Sequence, residues 1–181
     1  MCKASDVANF FIKLSLGEEE DFITNLKLNK LLYFAQGWSL VRLGRPLFHN
    51  EIQAWRCGPV VASIYHDYKN CGSSPITFVD ETYTNRVFSG EQYALLLDVY
   101  AEYGRFTART LTTMTHEHGT PWSRYYVEGE DNVIPKEALR DYFITLPALK
   151  TFSPSMISES SIEGRFDSDL GYYVLSADDD D

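Results

Sequence analysis

Apolar side chains recur along this chain mostly at the three- and four-residue spacing of helices, with little of the alternation of strands. After Ser5 and Asp6, the positions Val7, Phe10, Phe11 and Leu14 predict a short helix that Gly17 ends, followed by an acidic loop from Glu18 to Asp21. Thr24 and Asn25 are good caps for the next helix, Leu26 to Leu43, with Gly44 as the residue that stops it. Leu28, Leu31, Leu32 and Ala35 fill one face of that helix, while Tyr33, Phe34, Trp38 and Val41 spread over the rest. A helix apolar nearly all round belongs at the centre of a domain, covered by several neighbours.

Downstream the rhythm shortens. Residues 51–56 alternate as an extended segment, with Ile52 and Ala54 against Gln53 and Trp55. Cys57-Gly58-Pro59 predicts a turn whose proline starts a helix carrying Val61, Ile64, Tyr65 and Tyr68. PITFV at 75–79 has the composition of a brief strand. Ser89 with Gln92 has capping-box form ahead of Tyr93, Leu96, Leu97 and Tyr100. Thr107 to His116 forms a further short helix, and Thr120-Pro121 and Ile134-Pro135 each open another. The sum is a mainly α fold: one compact helical domain of six to seven helices with a small antiparallel β element. It is expected to occupy residues 1–146. Residues 147–181, broken by Pro147, Pro154 and serines, form an acidic C-terminal extension in which only LGYYVL (170–175) has the pattern of a strand.

Charge narrows the choice of partners. The 181 residues carry a net charge of −10, and −6 of it falls on residues 147–181, which end in four aspartates. Phosphate backbones are bound by Lys and Arg, so this balance disfavours nucleic acid and favours a basic protein partner. With 12 Tyr and 11 Phe, the chain has aromatic rings enough for both a core and a contact surface. Cys2, Cys57 and Cys71 are odd in number and lack CxxC spacing, so free thiols in a reducing compartment are expected. No apolar run suits a signal peptide or a membrane span, which points to the cytoplasm.

Candidate chemistry is sparse. His116, Glu117 and His118 are the one local cluster of metal-ligand types, yet on a helix residues two apart point about 200° away from each other. Their position before Gly119 and Pro121 suits imidazole at helix-terminal carbonyls, leaving a metal-dependent hydrolase using His116 and His118 as the weaker alternative. No GxSxG or glycine-rich phosphate loop occurs. The expectation is a protein without catalytic residues, metal or cofactor.

Three stretches, ITNLKLNKLLYFAQGW (23–38), EIQAWRCGPVVASIY (51–65) and LTTMTHEHGTPWSRYY (111–126), together resemble the Panacea-domain family, which includes SocA-like antitoxins and phage-associated GepA-like proteins. The resemblance spans about residues 4–146. Its matching positions are Leu28, Lys30, Leu31, Leu32, Tyr33, Trp55, Gly58, Pro59, Val60, Tyr65, Thr115, His116, Pro121 and Trp122. Asn29 departs from the glutamine usual there, and Ala62 from a frequent proline. The resemblance implies an antitoxin that neutralises a cognate toxin, encoded by a neighbouring gene, through direct protein–protein binding. A role as a proteolytic adaptor for a AAA+ protease is also implied for some members. A phage or mobile-element protein that binds a non-toxin host partner is the alternative. Of the matching residues, Tyr33, Trp55, Tyr65, His116 and Trp122 are the candidate toxin contacts. Leu28, Leu31, Leu32, Gly58, Pro59, Val60 and Pro121 read as structural.

Overall fold

Thr24 opens the central helix by accepting a hydrogen bond from the Lys27 amide, and α2 then runs from Asn25 to Arg42. From residue 27 to 40 every residue is buried, as expected of a central helix apolar nearly all round, and the burial takes in Lys27, Asn29, Lys30, Gln36 and Ser39 as well. The computed structural model describes residues 2–16, 22–80 and 82–151, together with two strands at 164–167 and 172–175. The acidic loop at 18–21 and the terminal aspartates lie outside the described residues.

Around α2 pack α1 (Ala4–Ser15), α3 (Ala62–Tyr68), α4 (Gly90–Val99), α5 (Ala108–His116) and α7 (Lys136–Phe143). The short α6 (Pro121–Tyr125) leans on α5 and α7. A three-stranded antiparallel sheet adjoins the helices in the order β2 (Gly58–Val60), β1 (Ile52–Trp55), β3 (Val133–Ile134). The fold is therefore mainly α, with seven helices among the described residues. No helix among these residues is long and apolar enough to cross a membrane.

The chain divides into two units, residues 1–150 and 151–181. In the second, β4 (Gly164–Asp167) pairs antiparallel with β5 (Tyr172–Leu175), Gly164 opposite Leu175. The strand expected within LGYYVL is present, and its partner is a neighbouring segment of the same extension.

Buried polar side chains of α2 hold the segment that follows it. Gln36 accepts from the amides of Leu47 and Phe48 and donates to the Phe48 carbonyl. Ser39 donates to the Arg45 carbonyl, Asn29 accepts from the Val61 amide, and Asn25 donates to the Tyr65 carbonyl. The loop at 45–51 and the β1–β2 hairpin that follows can thus lie against the core with these polar groups satisfied. Asn29 also donates to the Asn25 carbonyl and side chain, so its departure from glutamine serves a complete set of bonds.

Capping chemistry sets most helix boundaries as the sequence predicts. Ser89 and Gln92 form a reciprocal capping box, and Thr107 and Thr120 each cap the helix that follows. Gly44 lies at φ +64° beyond α2.

Two readings are corrected. Gly58 and Pro59 do not start a helix: both belong to β2, where Pro59 pairs with Ala54, and α3 begins only at Ala62. The tight Arg56-Cys57 turn carries the chain back along β1, and β2 is an edge strand, where a residue without an N–H is tolerated. Residues 75–79 form no strand, because their Ile76–Ile23 backbone bond is not continued into a ladder. Beyond Val99, α4 widens into a π-turn over Tyr100–Gly104. That turn brings Tyr103 over Phe34 at 3.9 Å between ring centroids, where its hydroxyl accepts from the Trp38 indole. β3 was not anticipated, since two residues are too short for a periodic signal.

Gly37 marks the closest approach of α2 to α7, and a methyl group there would overlap the fully buried ring of Phe143. Gly37→Ala is expected to destabilise the body by about 1–3 kcal/mol in urea unfolding. Adding Phe143→Leu should recover part of that loss, because the smaller side chain makes room for the methyl group.

Candidate functional site

The five candidate contact residues divide in the folded chain. Tyr33 lies in the interior at 1% exposure, edge-on to Phe34 and Phe143, and its hydroxyl has no hydrogen-bond partner among the described residues. It offers no surface to a partner. Trp55, Tyr65, His116 and Trp122 converge on one face, although they come from β1, α3, α5 and α6.

The β1–β2 hairpin sits at the middle of this face. Trp55 stands at its end, opposite Gly58, with its indole donating to Gln53 and its ring edge-on to Tyr65 at 5.0 Å. His66 adds a third ring, 5.6 Å from Tyr65. Across the hairpin end, the Trp122 indole donates to the Trp55 carbonyl at 2.8 Å. Trp122 in turn lies 3.7 Å from the His116 ring and stacks on Tyr126 at 4.7 Å. Thr120 caps α6 and Pro121 occupies its first turn, and these fix where Trp122 is presented. The result is a continuous run of half-exposed and exposed rings tied together through the Trp55 backbone. His66 and Tyr126 are not among the candidate contacts, although Tyr126 closes the 111–126 stretch, because only folding places them beside the others.

Beneath the hairpin lies Lys30. It is fully buried and donates to the Pro59 carbonyl at 3.0 Å. Gly58 has φ +102°, and a methyl group on it would stand 2.6 Å from Lys30 Cε, 2.9 Å from Nζ and 3.0 Å from Thr115 Oγ1. Two constraints therefore require glycine at 58: the backbone conformation, and the close passage of the lysine stem. Val60 is buried beside Pro59, and Gly58, Pro59 and Val60 together form the strand that roofs Lys30.

Burial lowers the Lys30 ammonium to about 7, against an opposing effect of the nearby Cys57. His116 is also lowered, first by burial and then by the charge of Lys30, and its buried Nε2 has no hydrogen-bond partner among the described residues. Both groups favour their neutral forms in the folded chain. His116 ends α5, whereas Glu117 turns into extended backbone and both Glu117 and His118 are exposed. The two imidazoles thus have different environments. Among the described residues, no three His, Cys, Asp or Glu side chains gather as a metal site, and no Ser, Thr or Cys side chain bonds to a histidine ring. Cys2 is buried, with its thiol donating to the Leu47 carbonyl, while Cys57 is exposed on the hairpin turn; all three cysteines are free. What the face offers is aromatic contact area over a sealed amine.

The lowered Lys30 value gives stability a definite pH dependence. Below about 7 the amine is charged in both folded and unfolded chains, and the full burial penalty applies. Between about 7 and the ordinary lysine value of 10.5 only the unfolded chain holds the proton, so stability rises with pH. The slope can reach about 1.4 kcal/mol per pH unit. Urea unfolding from pH 7.5 to 9 should show this rise in the wild type. Lys30→Met should flatten it, and an equal slope in both proteins would mean that Lys30 is not the group responsible.

The comparisons with known proteins fall on this same region. Residues 28–123 match the family model described as antitoxin SocA-like, Panacea domain. The chain is similar to antitoxin SocA of Caulobacter vibrioides (strain NA1000 / CB15N), 32% identical over 111 residues, covering 55% of this chain and 58% of that protein. No solved structure matches. Lys30, the hairpin, Tyr65, His116 and Trp122 all lie inside the matched stretch, which takes in more than half of the chain: the protein belongs to the SocA-like, Panacea-domain antitoxin family.

Proposed function

We propose that this chain is an antitoxin that neutralises a cognate toxin by binding it directly through the face formed by Trp55, Tyr65, His116 and Trp122. The observation that carries the reading is the convergence of these four family-matched residues, from four separate elements, on one accessible aromatic surface. A standard interface buries ~800 Å² on each partner, enough to cover the active site of a small toxin without any catalysis by this chain. Tyr and Trp held by packing make good binding hot spots, because they supply contact area at little cost in side-chain entropy. Neutralisation by occlusion is favoured over adaptor-driven degradation, since the aromatic face explains the former without a further partner. The toxin is expected to be encoded beside this chain, and the complex to form in the cytoplasm.

The test is growth of cells expressing the adjacent reading frame with and without this protein. Rescue by the wild type is expected. Tyr65→Ala and Trp55→Ala should each weaken the complex at least tenfold, by calorimetry or surface binding, while Tyr65→Ala leaves the unfolding midpoint nearly unchanged, since Tyr65 is 38% exposed. Rescue without loss of toxin from the cell supports occlusion, and disappearance of the toxin supports delivery to a protease. Absence of any rescue would overturn the antitoxin reading.

A further inference from the structure

Beside the aromatic face, at the open end of the β1–β2 hairpin, lies a cleft of about 420 Å³ lined by Trp55, Arg56, Tyr126, Glu128, Gly129, Glu130 and Asp131. Two of its walls are aromatic rings already placed in the candidate site. Its rim carries three carboxylates against the single guanidinium of Arg56, all four on exposed residues. None of these four side chains makes an ion pair among the described residues.

The cleft is held in shape by backbone bonds. The Glu130 amide donates to the Val127 carbonyl, and Gly129 at φ +83° permits that turn. The Ala54 amide donates to the Asn132 carbonyl at 2.8 Å, fastening the acidic loop to β1. Asn132 also donates to the Glu130 carboxylate at 2.9 Å. Trp55 and Tyr126 are joined through Trp122, which bonds the first residue's carbonyl and stacks on the second. Rings and acids are thus set side by side before any partner arrives.

We propose that this cleft receives an arginine side chain from a basic segment of the partner protein. The inference rests on the antitoxin reading for the existence of that partner and adds the chemistry by which it is recognised. A guanidinium is the one side-chain group that stacks flat on aromatic rings and also offers a planar fork of N–H donors to carboxylates. Charge argues against the chain's own extension as the occupant: residues 147–181 have eight acidic residues and only Lys150 and Arg165 as cations. A second copy is opposed by the same sign, since residues 1–146 are also net negative. The acidic rim at 128–131 lies beyond the family-matched stretch, which ends at 123. The aromatic face and the acidic cleft sit next to each other, a suitable place for selecting a partner that carries both apolar surface and an arginine.

The experiment uses the full-length, ¹⁵N-labelled chain titrated with acetyl-Gly-Arg-Gly-Arg-Gly-amide, and with the same peptide carrying citrulline, the neutral shape analogue of arginine. The indole N–H signals of Trp55 and Trp122 should shift with the arginine peptide, while that of the buried Trp38 stays in place. Affinity should fall at least tenfold for the citrulline peptide, and at least tenfold in the Glu128→Gln, Glu130→Gln, Asp131→Asn triple variant. Equal binding of the two peptides, or undiminished binding by the triple variant, would overturn the proposal. So would a shift of the Trp55 indole in Arg165→Gln without peptide, which would give the cleft to the chain's own extension. The growth assay separates this inference from the antitoxin reading. If the triple variant still protects as well as wild type while Trp55→Ala does not, the arginine inference fails and the antitoxin reading stands. If wild type gives no protection but binds the arginine peptide in a charge-dependent way, the reverse holds.

Discussion

Everything in the body is organised by the hydrogen bonds that buried side chains of α2 make to the chain wrapped around it. An amide or hydroxyl left unsatisfied in an apolar interior costs about 1–3 kcal/mol, so a central helix carrying Asn25, Asn29, Lys30, Gln36 and Ser39 would be untenable without fixed partners. Those partners are backbone groups of residues 45, 47, 48, 59, 61 and 65. The apolar positions of the same helix meanwhile bury α1, α4, α5 and α7. One element thus supplies both the hydrophobic nucleus and the template for the loop and hairpin that carry the aromatic face. Disturbing a polar residue of α2 would loosen a segment far along the chain, whereas disturbing an apolar one would loosen the packing of the surrounding helices.

Lys30 shows how structure and candidate function meet at one residue. Among the described residues its amine makes one hydrogen bond, to the Pro59 carbonyl in the strand that ends the hairpin, and burial brings its ammonium down to about 7. A neutral amine is accommodated there at lower cost than a cation. The cost of burying it is repaid in position: the lysine stem fixes how close β2 can come to α2, and Gly58 is the residue small enough to allow that approach. From there the hairpin carries Trp55 outward, and the Trp55 carbonyl anchors Trp122. The aromatic face is in this sense a consequence of the lysine beneath it.

Family membership and geometry answer different questions. The match over residues 28–123 establishes the kind of domain, and the relative it resembles is called an antitoxin. The aromatic face lies within that match except for Tyr126, while the acidic rim lies outside it. The two surfaces are adjacent in the fold, one aromatic and one acidic, so the proposed contact and the proposed arginine cleft would meet a single partner side by side.

Local chemistry was readable directly from the residues. The cap at Thr24, the capping box at Ser89 and Gln92, the proline start at Thr120-Pro121 and the all-round apolar character of α2 depend on neighbours a few residues away, and the helices follow them. The alternation of Ile52 and Ala54 likewise gave β1 correctly. The same rules misassigned Gly58-Pro59, because a proline that could start a helix can equally sit on an edge strand, and only pairing with Ala54 and the buried Lys30 decides between them. Tyr33 was indistinguishable from Tyr65 as a tyrosine in a motif, but helix α2 faces the core on every side and so takes its ring inward. Trp55, Tyr65, His116 and Trp122 were legible as residue types, yet their meeting depends on contacts between positions up to 67 residues apart. Residue type and short-range spacing belong to the sequence; long-range closure, which turns separate rings into one surface and reveals the acidic cleft beside it, belongs to the packed fold alone.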